Sequence, residues 1–148
     1  LGGFLRSSFR NHRFGDVTLE LQTFPLQPDQ QAQGIIHVSK MADLPPLLLR
    51  LECVETYVET VKEGKKTHSI THRNKLWDHA QLSDPPLHDM KKKTTQFSFT
   101  IDLPADVPPT KTASVESGSR TVLWQLTVTS EENSIFYAQF DVPVFPVS

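Results

Sequence analysis

Six histidines, one cysteine and a run of three lysines are the residues of this 148-residue chain whose chemistry could reach beyond packing. His68 and His72 stand four apart, a spacing that brings two imidazoles onto one metal when the backbone is helical. The residues around them alternate as a strand does, and at about 3.3 Å per residue an extended backbone sets the two about 13 Å apart, too far to chelate. His79, Asp84, His88 and Asp89 share one irregular stretch and, if they converged, would suit a small metal-dependent hydrolase or a ligand-binding sandwich. No Cys-x-x-Cys or His-Glu-x-x-His spacing accompanies them, so no metal and no cofactor is assigned. Cys53 would be a nucleophile only as a thiolate beside a histidine. It continues the alternating apolar face of Leu47, Leu49 and Leu51, where a free cysteine serves as a small buried hydrophobe. The 6 glycines are scattered and form neither a phosphate-cradling loop, a dinucleotide fingerprint nor a Gly-x-Ser-x-Gly elbow. Glu131-Glu132 reads as a solvated turn, so no catalytic residue is assigned and a non-enzymatic role is expected.

The surface offers more than the core. Lys91, Lys92 and Lys93, joined by Lys62, Lys65 and Lys66 around Gly64, would make a basic patch for anionic lipid heads or an acidic partner. Trp124 alternates with Val122, Leu126 and Val128 and belongs to the core, whereas Trp77 ends its strand and is expected to be partly exposed. Trp77, His79, His88, Lys91, Lys92, Lys93, Gly64, Lys65 and Lys66 are therefore the expected interaction surface, for a protein partner. A formal charge of -2 and a pI of about 6.3 lack the broad basic field of a non-specific nucleic-acid binder, and no nucleic-acid partner is expected.

The elements that must position these residues are strands. Val17, Leu19 and Leu21 share one face of a first strand, and Pro28 to Gly34 reads as a polar turn into a second, Ile35 to Lys40. A long segment from Leu47 swaps its apolar face after Cys53, as a bulge there would cause. Glu63-Gly64-Lys65-Lys66 is a hairpin connection, and Thr67 to Trp77 returns antiparallel to the segment before it. Asp78 to Lys93 reads as a long irregular loop. Phe97, Phe99, Ile101 and Leu103 alternate until Pro104 stops them, and Val122 to Val128 pairs with Phe136 to Val142 across a turn at Glu131 to Ser134. About seven strands with no long helix predict an all-β, antiparallel two-sheet sandwich. Residues 14–148 form one domain in this reading and 1–13 a juxtamembrane tail or linker. The longest apolar cluster, Leu44 to Leu51, is interrupted by Pro45, Pro46 and Arg50 and falls short of the about 20 residues of a membrane helix.

Three pieces, in this order, resemble the C-terminal soluble part of a family of bacterial multi-pass membrane proteins of unknown function: Arg13-Phe14-Gly15, then Phe97-Ser98-Phe99 with Leu103-Pro104-Ala105-Asp106-Val107-Pro108, then Trp124-Gln125-Leu126 leading to Phe140-Asp141-Val142-Pro143-Val144-Phe145. Leu51-Glu52-Cys53 and Lys75-Leu76-Trp77 match as well. In outline the strand order also resembles an arrestin-type, immunoglobulin-related sandwich of the kind adaptor proteins use. The resemblance implies a membrane helix upstream, with Leu1 to Leu5 as its tail, and transfers no catalytic residues. Arg6, Arg10 and Arg13 after such a helix imply a domain on the cytoplasmic side of the bacterial inner membrane. A non-catalytic interaction or adaptor module is the expected function, with a self-associating structural domain as the alternative beside the hydrolase.

Overall fold

A computed structural model describes residues 3–6, 14–115, 118–130 and 136–147. Among them are ten strands: β1 (Gly3–Arg6), β2 (Val17–Leu21), β3 (Gln31–Val38), β4 (Leu48–Glu63), β5 (Lys66–Leu82), β6 (Leu87–Asp89), β7 (Thr94–Asp102), β8 (Lys111–Val115), β9 (Gly118–Thr129) and β10 (Tyr137–Asp141). They form two antiparallel sheets, one in the order β1-β2-β3-β7-β6 and one in the order β10-β9-β4-β5. One side of β9 is shared, β10 pairing with Gln125 to Thr129 and β8 with Gly118 to Val122. The chain is thus the expected all-β, antiparallel two-sheet sandwich.

Each sheet buries its alternate residues against the other. Leu19, Ile36, Phe97 and Ile101 of the first sheet share one core with Leu49, Leu51, Trp124, Leu126 and Phe140 of the second, closed at its ends by Leu26, Leu47 and Val144. Removing such a side chain from water contributes about 1.5–3 kcal/mol each.

The count exceeds seven because β1, β6 and β8 are edge strands of three to five residues, none with a run of alternating large apolar residues. Gly3–Arg6, expected as the end of a membrane helix and part of a tail, pairs instead with β2 from Gly3↔Leu21 to Arg6↔Thr18. Among the described residues no helix is long and apolar enough to cross a membrane. Arg10, Arg13 and the turn from Glu131 to Ser134 lie outside the described residues. The second predicted strand begins at Gln31 rather than Ile35 and ends at Val38 rather than Lys40. Its inward positions there are Ala32 and Gly34, whose side chains are too small to register as an apolar stripe.

Two other expectations are corrected. Asp78 to Lys93 is no loop: β5 continues to Leu82, β6 follows after four residues, and Met90 to Lys93 is a tight turn into β7. Polar and charged residues on both faces of β5 hide its length, because alternation marks a strand only where one face is buried. The irregularity at Cys53 is real but lies on the other strand. Cys53 pairs with Trp77 and Val54 with Lys75, so the extra residue is Leu76 of β5. β4 keeps unbroken register with β9 and does not swap faces; Val54 and Val58 lie on its outer face with Leu123, and Tyr57 on the face of Leu51 and Cys53.

Candidate functional site

The feature that stands apart from the core is the β4–β5 hairpin. Its strands pair from Leu48↔Leu82 to Glu63↔Lys66, closed by the two-residue turn Gly64-Lys65. Gly64 has φ +60, the left-handed value that the first position of a type II′ hairpin turn requires. At the root the hairpin is held by the core: Leu76 and Trp77 pack against it, and the Trp77 ring lies 5.6 Å from that of Trp124. Trp124 Nε1–H donates to the Pro108 carbonyl at 3.0 Å. Beyond the root, every residue of β5 from Lys66 to Lys75 is exposed, although strand residues alternate between the two faces of a sheet. Neither face of that stretch is covered.

β5 is also the last strand of its sheet, and among the described residues no strand pairs with its outer edge. A free edge offers a row of backbone N–H and C=O groups to an incoming strand. Three neighbouring acids of β4 are already engaged from within the sheet. Glu52 meets Lys75 at 3.4 Å, Glu55 meets Arg120 at 3.7 Å, and Glu59 lies 3.2 Å from His72 Nε2. Tyr57 stacks on His72 with centroids 6.0 Å apart, under the Arg120 guanidinium at 5.6 Å. These pairs are exposed and each is worth at most about 1 kcal/mol. Two of these acids sit on side chains of β5 itself, Lys75 and His72, yet between Lys66 and Lys75 the strand carries Lys66, Arg73 and Lys75 and no acid of its own.

The nine residues expected to form one surface lie in three places. Gly64, Lys65 and Lys66 are at the hairpin tip, and Trp77 and His79 are at its root, with rings stacked at 6.1 Å. His88, Lys91, Lys92 and Lys93 are at the far end, because the chain runs one way from Lys66 through β5 and β6 to the turn, and β5 alone spans about 50 Å. The two lysine groups therefore do not merge. His79 Nε2–H donates to Gln81 Oε1 at 2.9 Å, and Gln81 passes its own N–H to the Thr100 carbonyl. His88 Nε2–H donates to the Ala42 carbonyl at 2.9 Å. The His88 ring ties β6 to the segment at Ala42, the His79 ring braces Gln81 within β5, and among the described residues no three His, Cys, Asp or Glu side chains are grouped to hold a metal.

Cys53 is fully buried, and burial, with Glu55 adding to it, pushes its thiol from 9.0 up to about 11. The thiol is protonated and non-nucleophilic at neutral pH. Iodoacetamide at about pH 8 will therefore leave Cys53 unmodified in the folded protein and alkylate it in denaturant, as mass spectrometry will show. The folded pKa is the higher one, so the folded state keeps a proton that the unfolded chain gives up. This stabilisation is complete below pH 9.0 and is lost as the pH rises towards about 11.

What sequence reasoning missed is the projection of the hairpin and the free edge of β5. The available signal was the long uninterrupted polar stretch after Gly64, which suits a strand exposed on both faces.

No family model matches the chain, and no curated protein does. Among solved structures the chain is similar to Spo0M, a sporulation control protein from Bacillus subtilis, at 17% sequence identity and a TM-score of 0.47. The alignment covers 89% of this chain and 49% of that one, so the chain spans about half the length of the Spo0M chain.

Proposed function

We propose that the domain is a non-catalytic protein-interaction module whose β5 edge accepts an extended acidic segment of a partner protein as an added strand. The observation that carries this reading is the open outer edge of β5, exposed on both faces from Lys66 to Lys75. Backbone pairing supplies affinity in such complexes and side chains supply the choice of partner. Here the choice is one of charge. Lysines and a bulge are what keeps a free edge from pairing indiscriminately, and Lys66, Lys75 and the extra residue at Leu76 all stand on this edge. A strand bearing glutamate or aspartate turns that repulsion into attraction. A second copy of the chain does not: antiparallel pairing about Ile70 and Thr71 sets Lys66 opposite Lys75 at both ends of the paired stretch, and like charges directly opposite are destabilising. The self-associating alternative is therefore disfavoured on this edge, and light scattering on concentrated protein is expected to give a monomer.

In the same reading the domain serves a membrane-tethered bacterial protein, held at the inner membrane on its cytoplasmic side by a helix upstream of this chain, as an adaptor of the arrestin type. The support for the tether is the resemblance of the sequence pieces around Arg13, Phe97 and Trp124.

Fluorescence anisotropy tests the edge with a labelled decapeptide that alternates glutamate with threonine and valine. Two companions are measured beside it, one with lysine for glutamate and one N-methylated at alternate residues. The acidic peptide is expected to bind at least about tenfold more tightly than either. The Lys66→Glu/Arg73→Glu variant is expected to reverse the charge preference. Equal binding of the N-methylated peptide would refute strand addition, and equal binding of the lysine peptide would refute charge selection.

A further inference from the structure

The end of the sandwich opposite the hairpin tip carries a second surface of different character. The turn between β6 and β7 raises Met90, 74% exposed, beside Leu87, 66% exposed, and Lys91, Lys92 and Lys93 follow directly. Leu87 pairs across the sheet with Gln96, Gln96 with His37 and His37 with Thr18, so these residues make one row over the outer face of the first sheet. Phe4 of β1, 69% exposed, lies 6.1 Å from the His37 ring. A shallow cavity of about 380 Å³ joins Phe4, Thr18, His37, Lys92 and Gln96, with Asp16 also on its wall. A second, of about 420 Å³, joins Leu87, Met90 and Lys91.

The turn is built rather than loose. Asp89 Oδ1 accepts the backbone N–H of Lys91 at 3.0 Å and of Lys92 at 3.1 Å. That carboxylate is spent on the turn, and the Glu20 carboxylate is spent on His37 at 2.8 Å. The buried Thr95 hydroxyl accepts the Ala42 N–H at 2.9 Å and donates to the Lys40 carbonyl, which with the His88 bond fixes the adjoining segment. A held tip with apolar side chains at its apex and cations beside them is the chemistry of a surface that seats in the headgroup layer of an anionic bilayer.

We infer that the β6–β7 tip is a docking site for anionic membrane lipid, with Met90, Leu87 and Phe4 entering the interface and Lys91, Lys92 and Lys93 meeting the headgroups. A peptide partner is a poorer occupant, because β6 has three residues and is too short to template an added strand. The inference stands on this patch and does not depend on the β5 edge or on an upstream anchor. Docked in this way, the tip would leave the Gly64 end of the hairpin pointing away from the bilayer.

Co-sedimentation of the purified chain with phosphatidylcholine vesicles, with and without about a third of phosphatidylglycerol, tests it. Partition is expected on the anionic vesicles, at least about tenfold weaker on the neutral ones, and weakened by added salt. Lys91→Gln/Lys92→Gln/Lys93→Gln is expected to reduce it by about 100-fold and Met90→Asp by about tenfold, with melting curves showing both variants folded. Lys65→Gln/Lys66→Gln, at the other end, is expected to bind as the parent does. Equal partition on both vesicles, or an unchanged triple variant, overturns the site. An unchanged Met90→Asp overturns the insertion of the apex. Loss of decapeptide binding in the triple lysine variant overturns the lipid assignment in favour of a protein partner.

Discussion

Trp124→Ala will destabilise the domain by about 3–5 kcal/mol, the range for removing a large buried aromatic side chain. The indole is 1% exposed, so truncation opens a cavity between the sheets where β4 and β9 pair as Cys53↔Trp124. It also takes the indole N–H at 3.0 Å from the half-buried Pro108 carbonyl, a hydrogen bond worth about 0.5–1.5 kcal/mol. Trp124→Phe separates the two effects, keeping most of the apolar volume while losing the hydrogen bond, and should cost about 1–2 kcal/mol. Urea unfolding gives both values. A Trp124→Ala loss below about 1.5 kcal/mol, or equal losses for the two variants, would contradict the cavity account. The effect extends to the proposed site, because Trp77 leaves the core at Trp124. With the indole gone, amides of β4 and β5 beyond the bulge should exchange faster while those of β2 and β3 keep their order of protection.

Gly34→Val gives the second large effect. Gly34 sits in the middle of β3, directly opposite Phe99 of β7, on the face that Ala32 and Ile36 turn to the core. A Cβ placed there would meet Phe99 Cζ at 2.5 Å and Cε2 at 2.7 Å, with the Glu20 carbonyl at 3.3 Å. The Phe99 ring is buried and lies over the glycine, so it can yield only by displacing its own neighbours. Overpacking of this kind costs about 1–3 kcal/mol, with Gly34→Ala below Gly34→Val. The check is a double-mutant cycle with Phe99→Leu, which should recover part of the loss because the shorter side chain frees the space over residue 34. Strict additivity in the cycle would mean that the ring is not what excludes a side chain there.

These two positions also show how far the fold was legible in the sequence. Trp124 announced itself as core because Val122, Leu126 and Val128 flank it at period two, and the same pattern revealed β2, β7 and β10. Gly34 read as the end of a turn, because its place in the sheet depends on a ring from a strand about 65 residues further on. Local pattern carries the identity of a strand whose two faces differ. It carries little about a strand whose faces are alike.

β5 is the clearest case of the second kind. Lys66 to Lys75 has no apolar face, so the sequence marked its start by the Gly64 turn but placed its end at Trp77, five residues short of Leu82. The polar residues that blurred it are the ones that suit an edge in water, and the stretch from Asp78 onward looked like a functional loop for the same reason.

The sequence by itself determined the class and the core: alternation at period two, prolines that end strands, and a glycine turn suffice for an antiparallel sandwich, since each is a local consequence of backbone geometry. Only the tertiary structure decided which strand is left at an edge, that the lysines around Gly64 and those after Met90 lie at opposite ends, and that Leu76 rather than Cys53 carries the bulge. Those facts depend on strand pairing between residues far apart in the chain, and pairing partners are chosen by how the faces of many strands bury one another together.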